Sequence, residues 1–142
     1  MLIGLEDRDR ISYEEILAEV KTALLLEDWV NEVPEQEICE KYDVGPGDIR
    51  AYVETAEWIL HAFSRVCEVL PKLRKYASQL RKLELRVKHG VKEELLNLIG
   101  IPGVGRVRAR KLYRAGYRSL EDLAQASVER IARIEGIGEK LA

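Results

Sequence analysis

Two short glycine-containing turns, 33 residues apart, are the parts of the sequence best suited to chemistry. The first reads Ile101-Pro-Gly-Val-Gly105 and the second Ile134-Glu-Gly-Ile-Gly138, each following a short apolar stretch. Gly103 and Gly105 leave the main chain open to close approach by a ligand. The helix that begins after them presents unpaired amides and the positive end of its dipole. A phosphate group is the natural ligand for such a site.

Basic residues follow the first turn, and we predict that they bind the same phosphate: Arg106, Arg108, Arg110 and Lys111. Val104 is expected to point inward and hold the two short helices together. The second turn carries Glu135 and Glu139 in place of arginines, which favours a structural role for it. Paired turns of this kind are typical of the helix-hairpin-helix arrangement, which holds DNA by its backbone without reading bases.

Helical periodicity extends over nearly the whole 142-residue chain, and no stretch alternates as a strand would. The fold class is therefore predicted to be all-α. The pattern changes near residue 90, which predicts a helical bundle with one long helix over 1–90 and a helix-hairpin-helix DNA-binding domain over 91–142. The chain stops a few residues into the last helix, which we expect to be truncated. The predicted helices cover 13–32, 35–42, 48–70, 72–88, 91–99, 106–115, 120–125 and 128–133.

Two helices carry apolar residues at helical spacing, and we expect both faces to lie in a core. On the first helix the face consists of Ile16, Leu17, Val20, Ala23, Leu24 and Val30. On the long helix the face consists of Ile49, Tyr52, Val53, Ala56, Ile59, Leu60, Phe63, Val66, Cys67 and Leu70.

Trp58 lies on the opposite side of the long helix from its apolar residues. A helical wheel places Trp58 beside His61 and Arg65, with Arg50 at the edge. An indole among polar groups can stack on a nucleic-acid base. We therefore predict that these four residues bind DNA. The alternative is that the helix is covered on both sides and that Trp58 belongs to the core.

The formal net charge of −2 conceals a strong asymmetry between the two halves of the chain. Residues 1–60 contain 16 acidic and 5 basic residues, whereas residues 61–142 contain 9 acidic and 18 basic ones. A basic half predicts an anionic partner, or else a surface neutralised by the acidic half. The helix and turn pattern of residues 37–50 is also typical of a helix-turn-helix. The excess of acidic residues in this region argues against binding in the major groove of DNA.

Several classes of function are not expected from this sequence. Cys39 and Cys67 lie far apart without other metal ligands nearby, so both are predicted to be buried thiols. We predict no catalytic residue and no metal site. No apolar run is long enough to cross a membrane, and the start lacks the features of a signal peptide, so we expect a cytoplasmic protein.

Four stretches of the sequence together resemble the C-terminal part of a helicase family. They are KYDVGPGDIR at 41–50, VETAEW at 53–58, LELRVKHGV at 83–91 and GRVRARKLY at 105–113. The family is that of archaeal superfamily-two DNA repair helicases of the Holliday-junction-migration type (Hjm), related to the helicase part of DNA polymerase theta. The resemblance covers essentially the whole chain after the first dozen residues.

This resemblance implies a ratchet helix that contacts single-stranded DNA and a small terminal domain that grips the emerging strand. Trp58 would stack on a base, with Arg50 or Arg65 as its phosphate partner. Residues 106–110 would supply the gripping arginines. The parent would be an ATP-dependent 3′–5′ helicase of replication-fork repair and recombination, with ATP and Mg²⁺ held by its motor domains.

The chain itself contains no Gly-x4-Gly-Lys-Ser/Thr loop, so we expect this fragment to hold no cofactor and not to hydrolyse ATP. Its expected partners are single-stranded or forked DNA and the motor domains of the same parent chain, and we expect a monomer. The alternative is a protein-interaction or autoinhibitory module whose basic half docks on an acidic protein surface.

Overall fold

A computed structural model describes residues 13–138, and every regular element within that range is helical. The all-α prediction is confirmed. Glu139 and the predicted start of the last helix lie outside the described residues. Single 3₁₀ turns occur at Arg74–Tyr76 and Glu93–Leu95. The α-helices are α1 (Tyr13–Val30), α2 (Glu35–Tyr42), α3 (Pro46–Val69), α4 (Ala77–His89), α5 (Leu96–Ile99), α6 (Arg106–Arg114), α7 (Leu120–Ala124) and α8 (Val128–Ala132).

The helix ends follow the local signals in the sequence. At the start of α3, the Gly45 N–H donates to Asp48 Oδ2 at 2.8 Å. At the end of α4, Gly90 adopts the left-handed conformation with φ of 63°, which closes a helix at low cost only for glycine. Ser119 caps α7 by accepting a hydrogen bond from the Asp122 N–H at 3.1 Å.

The helix predicted over 72–88 is shorter in the structure. α4 begins only at Ala77, because the chain between α3 and α4 must first reverse direction. The reversal is visible in the ion pairs between the two helices. Glu57 pairs with Lys88 at 2.7 Å, and Glu68 pairs with Arg81 at 2.5 Å. Because the two pairs run in opposite chain directions, α4 packs antiparallel to α3.

The apolar face predicted for the first helix is wrong over most of its length. Of the six residues, Val30 is buried, while the other five, Ile16, Leu17, Val20, Ala23 and Leu24, are exposed. Leu25 is buried instead, at 1 % exposure. Only the C-terminal part of α1 meets other described helices closely, so periodicity alone misjudged which turns are covered.

The apolar face predicted for the long helix is correct on one side only. Ile49, Val53 and Cys67 are buried against the neighbouring helices, and Ala56 and Leu60 are half-buried. α4 and α2 cover one edge of this face, and the described chain leaves the other edge open. The exposed members are Tyr52, Ile59, Phe63, Val66 and Leu70.

Two separate apolar clusters lie on either side of residue 90. The bundle cluster is formed by α1–α4 and is centred on Leu25, Ile38 and Ile49. The C-terminal cluster is formed by residues 91–137 and is centred on Leu95 and Leu98. No buried residue belongs to both, so the chain builds two small cores that must be held together by other contacts.

Gly90 lies where the two cores meet and is closely covered by two side chains. A Cβ at this position would lie 2.5 Å from Trp29 Cε2 and 2.8 Å from Arg106 Nη1. The Trp29 Nε1–H donates to the Val87 carbonyl oxygen at 2.8 Å, which fixes the indole over the end of α4. Gly90 is thus required both by its backbone conformation and by the space above it.

Replacing Gly90→Ala should lower the free energy of unfolding by about 2–4 kcal/mol, since a left-handed alanine and an overpacked contact each cost about 1–2 kcal/mol or more. Chemical denaturation of the purified chain measures this. Gly47→Ala in α3 is the matched control, because its Cβ would meet nothing within 4 Å. Equal stability of the two variants would contradict this description of the junction.

Candidate nucleic-acid interface

The first glycine turn connects α5 to α6 and lies at the surface. Gly103 has a φ of 80°, which favours glycine, and Gly105 is exposed with open space around its Cα. Val104 is buried at 7 % exposure, which confirms its predicted inward position. The Ala109 N–H donates to the Gly105 carbonyl oxygen at 2.9 Å, the first bond of α6. The three preceding amides therefore have no acceptor within the helix.

The second glycine turn repeats this geometry 33 residues later. Gly136, equivalent to Gly103, has a φ of 85°, and Ile137, equivalent to Val104, is buried at 2 % exposure. Both turns therefore share a left-handed glycine followed by an inward apolar residue. The two turns form a tandem of similar hairpins packed on one apolar cluster.

Arg108 joins the two turns directly. Its Nε donates to the Gly136 carbonyl oxygen at 2.9 Å, and its Nη1 donates to the Gly103 carbonyl oxygen at 2.8 Å. Nearby, the Lys111 ammonium lies 3.4 Å from a carboxylate oxygen of Glu135. Two of the four predicted phosphate ligands thus hold the second turn against α6.

Arg106 contacts the bundle. Its guanidinium carbon lies 4.2 Å from the centre of the Trp29 ring, and its Nη2 donates to the Val33 carbonyl oxygen. Its Nη1 is buried and has no hydrogen-bond partner among the described residues. Burial lowers the pKa of this guanidinium, although nearby carboxylates oppose the effect. Arg106 therefore connects the C-terminal helices to α1.

Arg110 makes the second contact with the bundle. Its Nε and Nη2 donate to the two carboxylate oxygens of Glu32 at 2.6 and 2.7 Å, and Nη2 also donates to Glu94 at 2.9 Å. The Lys92 N–H donates to the same Glu32 carboxylate at 2.9 Å. Burial raises the pKa of Glu32, but the hydrogen bonds from Arg110 and Lys92 outweigh it and leave that pKa lowered.

Sequence reasoning missed Trp29 and Glu32 as partners of this region. Trp29 lies 58 residues from its hydrogen-bond partner Val87, and Glu32 lies 78 residues from Arg110. No local pattern connects residues so far apart. In the structure Glu32, two residues after the end of α1, adopts a φ of 69°, rare for a residue other than glycine, and nothing in the sequence marks this position.

On the outer face of α3, Trp58 is 72 % exposed. Within the described residues Trp58 therefore belongs to no apolar core, and it lies opposite the buried residues of α3, as predicted. The three polar residues predicted beside it each have a carboxylate neighbour. Their partners are Glu54 for Arg50 at 3.0 Å, Glu84 for His61 at 3.1 Å, and Glu68 for Arg65 at 2.7 Å.

The described residues offer little to other kinds of site. No helix among them is long and apolar enough to cross a membrane. No three histidine, cysteine or acidic side chains within 13–138 are placed to hold a metal ion. Both cysteines are free thiols; Cys67 is buried as predicted, whereas Cys39 is only half-buried, so the prediction is wrong for Cys39.

The fold and turns define an all-α chain in which a helical bundle precedes a tandem of helix-hairpin-helix turns. Residues 95–142 match the family described as SAM-like helix-hairpin-helix tandem. Residues 2–90 match the family described as archaeal helicase, domain 4, and the chain belongs to that family.

Similar proteins carry the name ATP-dependent DNA helicase Hel308. The chain is 50 % identical to that of Caldivirga maquilingensis over 131 residues, 92 % of this chain and 17 % of the relative. It is 49 % identical to that of Pyrococcus abyssi over 85 % of this chain and 17 % of the relative. It is 42 % identical to that of Pyrobaculum calidifontis over 100 % of this chain and 20 % of the relative. The chain thus spans a fifth or less of these relatives.

Replacing Arg110→Met should lower the free energy of unfolding at neutral pH by about 2–3 kcal/mol, because it leaves the largely buried Glu32 carboxylate without its charged donor. The lowered pKa of Glu32 means that its contribution is present above its unfolded-state pKa of about 4.5 and is lost as pH falls through the folded value. The difference between variant and wild type should therefore shrink in acid.

Denaturant titrations at several pH values measure this effect. Arg50→Met is the matched control, since its pair with Glu54 is exposed on both sides and should contribute about 0.5 kcal/mol or less. A stability difference between Arg110→Met and wild type that stays constant down to acid pH would contradict the assigned role of Glu32.

Proposed function

We propose that this chain is a non-motor, C-terminal part of an ATP-dependent DNA helicase and that it binds single-stranded or forked DNA. The observation that carries the proposal is the exposed indole of Trp58 on the long helix of a chain in the archaeal helicase family. Among the described residues the indole packs in neither apolar core, so its ring is accessible to a base. Base stacking on such a ring is tolerant of sequence, as a translocating protein requires.

The first glycine turn is proposed as the second contact, with the DNA backbone. Its support is the exposed Gly105 and the amides at the start of α6. Because Arg106 and Arg110 are held by the bundle and Arg108 by the two turns, the amides are the groups that remain directly available to a phosphate. The guanidinium groups then act through the positive potential that they create around the turn.

The parent protein is proposed to be a 3′–5′ helicase of fork repair and recombination in the cytoplasm. ATP and Mg²⁺ would be bound by its motor domains, and those domains would be the chain's partners within one monomer. The support is the name and length of the relatives, of which this chain covers a fifth or less.

A protein-docking module is the second candidate function. It is favoured by the exposed apolar residues on α1 and α3, which include Leu17, Leu24 and Phe63. Competition with unlabelled DNA of varied sequence and structure separates the two functions. Displacement of a labelled strand by any sequence supports DNA binding, whereas a chain that binds no DNA supports docking on protein.

Replacing Trp58→Ala should weaken binding of oligothymidylate by about 1–3 kcal/mol, the usual contribution of one stacked base. In wild type, the same titration should quench tryptophan fluorescence, and the variant should lose that quenching. Trp29, covered by Arg106, should contribute little to the change.

Phe63→Ala is the matched control for this experiment, since Phe63 is 59 % exposed on a different face of α3. It should bind the oligonucleotide as wild type does. Equal affinity of the Trp58 variant and wild type would remove Trp58 from the binding site and with it the main support for the proposal.

Replacing Gly105→Ala should weaken DNA binding by about 1 kcal/mol for every sequence alike, because a methyl group would keep the phosphate from the amides of α6. The fold should tolerate the change, since the added Cβ meets nothing within 4 Å and φ is an ordinary −86°. Gly100→Ala, equally open but outside the start of α6, is the control. Unchanged affinity in Gly105→Ala would place the backbone contact elsewhere.

A further inference from the structure

The reversal between α3 and α4 is a second basic surface, distant along the chain from the glycine turns. We call residues 69–76 the tip. Lys72, Arg74 and Lys75 are exposed there, and Lys75 lies 4.9 Å from the ring centre of Tyr76, which is 44 % exposed. An exposed aromatic ring among cations is the composition of a single-strand binding surface.

The cations of the tip have no carboxylate partner among residues 13–138. Glu68, the nearest acid in sequence, is already occupied, because Arg65 and Arg81 each bind one of its carboxylate oxygens. Arg74 reaches only the carbonyl oxygen of Glu68, at 3.3 Å. No acidic residue occurs between Val69 and Leu83. The positive charge of the tip is therefore uncompensated within its own segment.

This lack of partners distinguishes the tip from most of the bundle. Elsewhere in α2–α4, most basic side chains are neutralised by a carboxylate within hydrogen-bond distance, as in the pairs Lys41–Asp28, Arg50–Glu54, Lys82–Glu93 and Lys88–Glu57. α2 and its acidic residues lie at the opposite end of α3, which is about 36 Å long at 1.5 Å per residue. This distance is several times the Debye length of about 8 Å in physiological salt.

The tip lies at the end of the same face of α3 that carries Trp58. At 100° per residue, Arg65 and Val69 lie within about 20° of Trp58 on the surface of α3. The rise from Trp58 to Val69 is about 16 Å, and the cations of the tip follow directly. A strand whose base stacks on Trp58 and which runs toward the end of the helix would pass over the tip.

We propose that the tip is a phosphate-binding surface that extends the single-strand path of α3 beyond Trp58. It rests on the proposed function. Lys72 and Lys75 bind backbone phosphates of the same strand, and Tyr76 offers a second aromatic face. The ligand is single-stranded nucleic acid recognised by charge and stacking, without preference for sequence.

The test is the salt dependence of binding by the full 142-residue chain. The probe is an end-labelled oligothymidylate of about 20 nucleotides, longer than the roughly 4–16 nucleotides that one single-strand-binding OB fold covers. Each phosphate contact on a single strand contributes about 0.7 to the slope of log affinity against log salt. Lys72→Ala with Lys75→Ala should therefore reduce the slope by about 1.4 and weaken binding about 25-fold at 0.1 M salt.

Lys21→Ala is the control for the loss of a lysine charge, because Lys21 is an exposed lysine on α1 with no ion pair in the described chain. It should leave the slope as in wild type. Quenching of Trp58 is followed in the same titrations. If wild type is quenched and binds, but the double variant keeps its slope, the tip is excluded and the proposed function stands. If wild type binds no oligothymidylate, both proposals are overturned.

Discussion

The stacking of the Arg106 guanidinium on the Trp29 indole determines where the glycine turns lie relative to the long helix. The two apolar clusters have no buried residue in common, so neither core can position the other by packing alone. A cation on an aromatic face contributes about 2 kcal/mol or more when water is excluded, and the buried Nη1 of Arg106 shows that this pair is largely dry. Gly90 makes this contact possible, because a side chain at position 90 would collide with both the Trp29 indole and the Arg106 guanidinium.

Contacts within the protein limit which basic residues after the first turn are available to bind a phosphate. Moving the Arg110 guanidinium to a DNA phosphate would leave the Glu32 carboxylate, 13 % exposed, without its main partner. Breaking such a pair costs more than an exposed phosphate contact returns. Arg108 is similarly committed, because two glycine carbonyl oxygens depend on it. A phosphate at this turn therefore has to be held by main-chain amides within a positive potential.

Features set by local chemistry could be predicted from the sequence, and features set by distant partners could not. The C-terminal ends of α3 and α4, the inward Val104 and the outward Trp58 follow from proline, glycine and helical spacing alone. The exposed half of α1 could not be foreseen, because periodicity states which residues share a face but not whether another helix covers it. The bundle partners of Arg106 and Arg110 were also missed, because Val33 and Glu32 lie 73 and 78 residues away along the chain.

The asymmetry of charge in the sequence has two different outcomes in the folded chain. Part of the charge is neutralised within the protein, because acids of the first half form ion pairs with bases of the second. Glu57 pairs with Lys88 and Glu32 pairs with Arg110. The remainder is spatial: α2 carries acids at one end of α3, whereas at the other end Lys72, Arg74 and Lys75 have no carboxylate partner in the part of the chain that the structure describes. Because salt screens charges beyond about 8 Å, each end acts on a nearby strand separately. A polyanion lying along α3 would therefore be attracted at the tip and repelled at the opposite end, which would give the proposed path past Trp58 a direction despite a net charge of only −2.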